Sequence, residues 1–370
     1  MNKKITSIIC IVCLLAVRST FAQQLEIVAR IMPPAPDMSG IAITPGGRIF
    51  LGFPRHADNH NGCALAELKD GQLMPFPNAK MTYPSDRPYN EWLVSPHGMT
   101  TDESGNIWLI DDGKRAGIDG IPEGAAKVVG LSPDGKIIAS VVIKSPILRQ
   151  DMHLNDLRID LKHGEKGMAY ITNSSFGTTP SLVVVDIATG NSREVLANHY
   201  STAIRQGYIA FLEGEARAYC PDHVTLPSGG ANGIALVKGR LYWTPITGRG
   251  LYSIPTDSLS DFTLSEAVLE ATVRYEGDRP ACDGLAEDKE GNIYFSAYEQ
   301  MALVRRTPDG QFKTLVQSPL LGWPDGMFYT NDGYLYVTLG QWNRLPGFNN
   351  GKDLRIPPYI VARIRDVFQK

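Results

Sequence analysis

One pattern recurs six times along the chain and limits what it can fold into. Each copy has a polar residue, usually a Gly, a short alternating apolar run, a Gly-centred turn and a strand rich in branched and aromatic residues. The copies are GIAITPGGRIFL after Ser39, GMTTDESGNIWLI after His97, DLRIDLKHGEKGMAYIT after Asn155, GIALVKGRLYWT after Asn232, GLAEDKEGNIYFS after Asp283 and GMFYTNDGYLYVT after Asp325. The third copy departs from the rest, with Asp156 where the others have Gly and with a longer turn. Alternating runs around PGG, ESGN, KG, KEGN and NDG read as β-hairpins, because such turns need positive φ and Gly supplies it.

Most copies are followed by a second hairpin pattern, as in ALAELKDGQLMPF, KVVGLSPDGKIIASVVI, SLVVVDIATGNSREVL, the less regular LYSIPTDSLSDFTLSEAV and ALVRRTPDGQFKTLV. Two hairpins make a four-stranded sheet, and six such sheets predict an all-β, six-bladed β-propeller. The strand-like ends LEIVARI (residues 25–31) and YIVARIRDV (residues 359–367) can share one blade and so close the ring. A short helix is expected only within 200–218, inside an insertion between the third and fourth copies.

Residues 1–22 read as a secretory signal peptide, with Lys3 and Lys4 ahead of an apolar run and a small-x-small site ending at Ala22. The expectation is a secreted or periplasmic protein, a single propeller domain over 23–370, with no membrane span after cleavage. Without Lys3, Lys4 and Arg18 the chain carries 33 basic and 39 acidic residues, a formal charge of −6, which argues against nucleic acid or an anionic membrane as partner. Cys63, Cys220 and Cys282 remain, an odd number. They allow at most one internal disulfide, for which Cys220 with Cys282 is the expected pair, beside the alternative of three half-buried thiols. We expect a monomer.

In a propeller the innermost strand of each blade lines the central channel, so the residues ahead of those strands should meet at one mouth. Here they are Ser39, His97, Asn155, Asn232, Asp283 and Asp325. Two carboxylates and two amides suit a hard cation, Ca²⁺ or another divalent ion, with Asn155, Asn232, Asp283 and Asp325 as ligands. The competing reading is that Asn-Gly and Asp-Gly are ordinary turn dipeptides. His97 and His153 are the candidates for proton transfer. Arg87 and Arg158 are candidates for an anionic group, Arg158 alternatively as an inter-blade ion pair. Trp92, Trp323 and Trp342 are candidates for the wall of a small-molecule pocket, with Asn155 and Trp323 as substrate contacts. Ser174 and Ser175 fall near a strand end with no local base. No phosphate loop, dinucleotide fingerprint, nucleophile elbow or HExxH helix is present, so no organic cofactor is expected.

The stretch HLNDLRID with GMAYITNSS and SLVVVDIATGNSREVL, then GIALVKGRLYWTPITGRGLYSIPTDSL, DGLAEDKEGNIYF, LGWPDGMF and QWNRLP, resembles the major royal jelly protein and Yellow family. The resemblance covers residues 151–370 well and the first two blades more loosely. It implies a secreted six-bladed propeller and either dopachrome conversion or the binding of small amines without catalysis. Such chains are also similar to gluconolactonase and senescence marker propellers, whose channel metal is held by a Glu, two Asn and an Asp. Asn155, Asn232 and Asp283 match the last three, and Ser39 stands in place of the Glu. The expected function is a lactonase or tautomerase acting on a small cyclic substrate, with a binding protein for a small aromatic or amine ligand as the alternative.

Overall fold

The structure, a computed structural model, describes residues 24–175, 179–220 and 222–366; the leader-like segment 1–22 lies outside the described residues. Six four-stranded antiparallel sheets follow one another around a central channel. Their inner strands are Ile41–Ile43, Pro96–Thr101, Leu154–Asp160, Ala231–Val237, Leu285–Glu287 and Pro324–Tyr329, one from each copy of the repeat. The ring closes as the two ends of the sequence imply. Glu26–Ile31 pairs antiparallel with Tyr359–Arg365 as the outermost strand of blade 6, from Glu26 opposite Arg363 to Ile31 opposite Tyr359. Closure removes the free edges that an open six-sheet array would present.

The repeated Gly has a steric cause. A Cβ at Gly40 would stand 2.1 Å from the His97 carbonyl oxygen, at Gly233 2.4 Å from that of Asp283, at Gly284 2.4 Å from that of Asp325 and at Gly326 2.3 Å from that of Ser39. These are contacts between neighbouring inner strands, so glycine at this position lets six strands converge on a narrow axis. Between each pair of adjacent blades lies an apolar cluster, such as Trp108, Ile110, Leu157 and Ile171 between blades 2 and 3. Closely packed clusters of this kind hold the blades in fixed relation.

Two local expectations fail. The 200–218 insertion forms a hairpin, Ile209–Leu212 with Glu215–Ala218, and not a helix. Glu213 and Gly214 both take positive φ, 52° and 89°, the geometry of a tight hairpin turn, and they outweigh the helix formers around them. In blade 4 the outer strands pair, but the second of them lies beyond the expected LYSIPTDSLSDFTLSEAV. After Gly250–Pro255 the chain makes two short helices, Thr256–Ser260 and Glu266–Thr272, before the fourth strand Arg274–Asp278. Glu266–Thr272, EAVLEAT, is rich in good helix formers and buries Leu269, which favours helix over strand. No helix of the described residues is long and apolar enough to cross a membrane.

Candidate functional site

The mouth of the channel is built by a repeated distortion. In blades 2, 3, 4 and 6 the pairing of the first two strands shifts register across His97-Gly98, Asn155-Asp156, Asn232-Gly233 and Asp325-Gly326. A bulge turns a side chain out of the pleat, and here it aims each polar residue at the axis. In blades 1 and 5 the regular strand starts two residues later, leaving Ser39 and Asp283 just ahead of it at the same level.

All six ring residues are buried, and several of them bond to one another. Ser39 Oγ donates to Asp325 Oδ2 at 2.8 Å and lies 3.5 Å from His97 Nδ1; Asn155 Nδ2 donates to Asn232 Oδ1 at 2.8 Å. Two indoles fasten the acids from outside. Trp323 Nε1 donates to Asp283 Oδ2 and Trp342 Nε1 to Asp325 Oδ2, both at 2.8 Å. Among the described residues no Arg or Lys pairs with either carboxylate. Burial, with mutual repulsion, pushes Asp283 well up, and burial pushes Asp325 up to about 6. Two interacting carboxyls of this kind titrate as a pair, and the repulsion favours a form that keeps a proton.

Above the ring lies a cavity of about 340 Å³ with His56, His97 and His153 on one side and Asn155, Asn232, Asp283 and Asp325 as its floor. Its roof is apolar, from Val224, Ile246, Trp342, Leu345 and Phe348. The insertion hairpin packs into this roof, Tyr208 OH meets Tyr298 OH at 2.7 Å, and Phe211 N donates to Glu299 Oε1 at 2.9 Å. Burial pushes the imidazoles of His97 and His153 down to about 3 and that of His56 well below its ordinary value, so all three are neutral at pH 7. A conjugate acid so weak makes a poor general base. The acid pair, not the histidines, has the affinity for protons that suits acid–base work at neutral pH.

The remaining candidates divide cleanly. Trp323 lies behind Asp283, stacked on Tyr298 at 4.4 Å between centroids, and positions the acid without lining the cavity. Trp342 does both, whereas Trp92 packs between blades 2 and 3. Arg87 lies away from the cavity, bonded to Ser85, Glu91 and the Lys80 carbonyl, because its segment runs along the connection between blades 1 and 2. Arg158 is the inter-blade ion pair. Its Nε donates to Glu287 Oε1 and Oε2 at 2.8 and 3.0 Å, spanning from blade 3 to blade 5 and sealing the channel below the ring. Ser174 lines the cavity but donates its hydroxyl to the Ala231 carbonyl, and Ser175 bonds Asp151. Among the described residues Cys63, Cys220 and Cys282 are free thiols: Cys282 is buried between blades 4 and 5, and Cys220 is exposed at the end of the insertion, so the expected disulfide does not form.

Three site residues have no counterpart among the sequence candidates. Asp156 lies within the channel, its carboxyl pushed up to about 7 by burial, and its signal was the missing Gly of the third repeat. His56 comes from the loop between the second and third strands of blade 1, and Asp112 from the end of a blade 2 strand. Neither falls at a repeat position, so no periodicity marks them.

The model of the major royal jelly protein family matches residues 94–352, from the start of blade 2 into blade 6. No curated protein matches the chain in sequence. Among solved structures, the chain is similar to a luciferin-regenerating enzyme at 11% identity, over 94% of this chain and 96% of that one, with a TM-score of 0.54. It is also similar to a gluconolactonase from Xanthomonas campestris at 12% identity, over 90% of this chain and 86% of that one, with a TM-score of 0.53. At such identities the likeness is one of fold.

Proposed function

The chain belongs to the major royal jelly protein family, and from that premise we propose that it is an enzyme of lactonase or tautomerase type, working on a small cyclic substrate in the roofed cavity. The observation that carries this reading is the Asp283–Asp325 pair: two buried acids with no basic partner, each with one oxygen held by an indole, facing a cavity sized for a small ring. One carboxyl protonated and one ionised gives an acid and a base side by side, the requirement for hydrolysing a lactone or moving a proton on a ring. The gluconolactonase likeness makes lactones the first class to try.

Asn155, Asn232, Asp283 and Asp325 fit a divalent cation such as Ca²⁺. All offer oxygen ligands, and burial raises the affinity of both acids for protons, a cost that a bound cation would relieve. When bound, such a cation supplies polarisation of a substrate carbonyl. Ser39 does not replace the missing Glu as an anionic ligand; it donates to Asp325 and favours its ionised form. Trp323 and Trp342 fix the acids' outer oxygens, leaving the inner ones for substrate. The apolar roof excludes water and holds the ring face. His97 and His153, being neutral, accept or donate hydrogen bonds without taking up charge.

The test is turnover of a lactone panel by wild type, Asp283→Asn and Asp325→Asn. Hydrolysis that falls at least 100-fold in both variants is expected; no turnover of any lactone or ring tautomer by wild type removes the enzyme reading. A second reading has its own support. Two acids under an apolar roof also suit a small aromatic amine, whose ammonium would sit on the pair. Tight amine binding without turnover, lost in Asp283→Asn, would establish it.

A further inference from the structure

Three imidazoles from three separate places in the chain meet at one wall of the cavity. His56 comes from a blade 1 loop, His97 from the mouth of blade 2 and His153 from the residue ahead of blade 3's inner strand. Their ring centroids lie 5.0 Å apart for His56 and His97, 4.7 Å for His56 and His153, and 4.9 Å for His97 and His153. One nitrogen from each lies within 4.8 Å of the other two. In a tetrahedral site with bonds near 2.0–2.1 Å the donors stand roughly 3.4 Å apart, so closing on an ion takes movements on the order of 1 Å, within reach of side-chain rotation.

The surroundings are those of a prepared site. Asp112 Oδ2 lies 2.9 Å from His153 Nδ1, and with the proton held there Nε2 is the nitrogen that would ligate a metal. A carboxylate behind a ligating histidine fixes tautomer and orientation. Asp112 in turn accepts from the Lys114 backbone at 2.9 Å. The loop carrying His56 is fastened by its neighbour Arg55, wholly buried, whose guanidinium donates to the carbonyls of His60, Gly62, Thr82, Leu93 and Val94. All three histidines border the cavity, so a fourth coordination position faces the space where a substrate would sit.

We propose that His56, His97 and His153 bind a divalent transition metal of the Zn²⁺ class, with Asp112 as the positioning carboxylate and the fourth position open to the cavity. Three imidazoles favour such an ion over Ca²⁺, which prefers oxygen. The site shares His97 with the ring but differs in chemistry from the ring's oxygen ligands, and it does not depend on the lactonase reading.

The experiment is calorimetric titration of the chelator-treated full-length protein with ZnCl₂ and, separately, CaCl₂, together with the visible spectrum after Co²⁺ loading. The expected result is one equivalent of Zn²⁺, weakened at least 100-fold in His56→Gln and His153→Gln and 10–100-fold in Asp112→Asn, and unchanged in Asp283→Asn. Co²⁺ should give the intense visible bands of a four-coordinate site in wild type, a readout that needs no variant to fold. Absence of a stoichiometric Zn²⁺ equivalent, or octahedral Co²⁺ bands alone, overturns the proposal. So does Zn²⁺ binding lost in Asp283→Asn but kept in His56→Gln, which would put the ion in the oxygen ring. Loss of lactone turnover alone bears on the earlier reading and leaves this one standing.

Discussion

The two ends of the channel use charge in opposite ways. At the lower end Arg158 is buried against Glu287, with Asp156 3.5 Å away, and its guanidinium bonds two backbone carbonyls as well. Burial lowers its proton affinity, but Glu287 and Asp156 more than restore it, so the group is firmly charged. At the upper end Asp283 and Asp325 are equally buried and have indoles and a hydroxyl for partners, but no cation. The hollow at the lower mouth is the larger, about 500 Å³ against 340 Å³, and it is lined by Glu103, Lys162, Lys238 and Lys289. Size points to the wrong end. Breaking a buried pair strands a charge and destabilises the fold, whereas buried carboxyls with raised proton affinity and no paired cation cluster where something binds or a proton moves.

The strongest way to break this comparison is to neutralise each end. Asp283→Asn should lower turnover by about 10²–10⁴-fold while raising the melting temperature at pH 8, since it removes a carboxyl that on folding must either be desolvated as an anion or take up a proton. A melting temperature that falls instead would mean that the acid pair is structural. Arg158→Met should do the reverse at the floor, costing about 3–5 kcal/mol in denaturant unfolding by stranding Glu287. Arg158→Met with Glu287→Leu should recover most of that loss; no recovery would show that the carbonyl contacts, not the ion pair, hold the floor.

Acidity separates the two groups of titrating residues at the upper end. Asp325, raised to about 6, gives stability that is fully present below its unfolded value and is lost as pH rises through about 6. His97 and His153, lowered to about 3, work with the opposite sign, their contribution being present above about 6.5 and lost as pH falls towards 3. Between about pH 4 and 6 these slopes oppose each other. Asp325→Asn should therefore make the melting temperature drop more steeply on acidification across that window, and an unchanged slope would show that Asp325 is not raised.

Two smaller effects complete the series. Trp323→Phe removes the indole donor from Asp283 and should move the alkaline limb of the pH–rate profile, where the protonated acid is lost, upward by about one unit, or ~1.4 kcal/mol; a change in KM alone would argue against a positioning role. Arg87→Ala breaks a partly exposed pair with Glu91 and should cost at most about 0.5 kcal/mol, with ligand affinity unaltered.

The blade count, the closing strand and the six mouth residues were legible because a propeller writes its geometry as a repeat: each blade meets the same neighbour contacts and so asks for the same residues. Gly40, Gly233, Gly284 and Gly326 answer one steric demand four times. Where local rules compete, legibility ended. The 200–218 segment mixes helix formers with a Glu-Gly turn, and blade 4 admits two helices into the connection between its outer strands, which other blades make with a short turn.

By itself, then, the sequence determined the ring and which polar residues face its axis, since both follow from nearest-neighbour patterns along the chain. Only the tertiary structure decided that Arg158 closes the floor, that Trp323 and Trp342 hold the acids, and that His56, His97 and His153 share a wall beside Asp112. Those partners come from different blades and from loops outside the repeat, and the contacts and burial that set their charge exist only once the ring has closed.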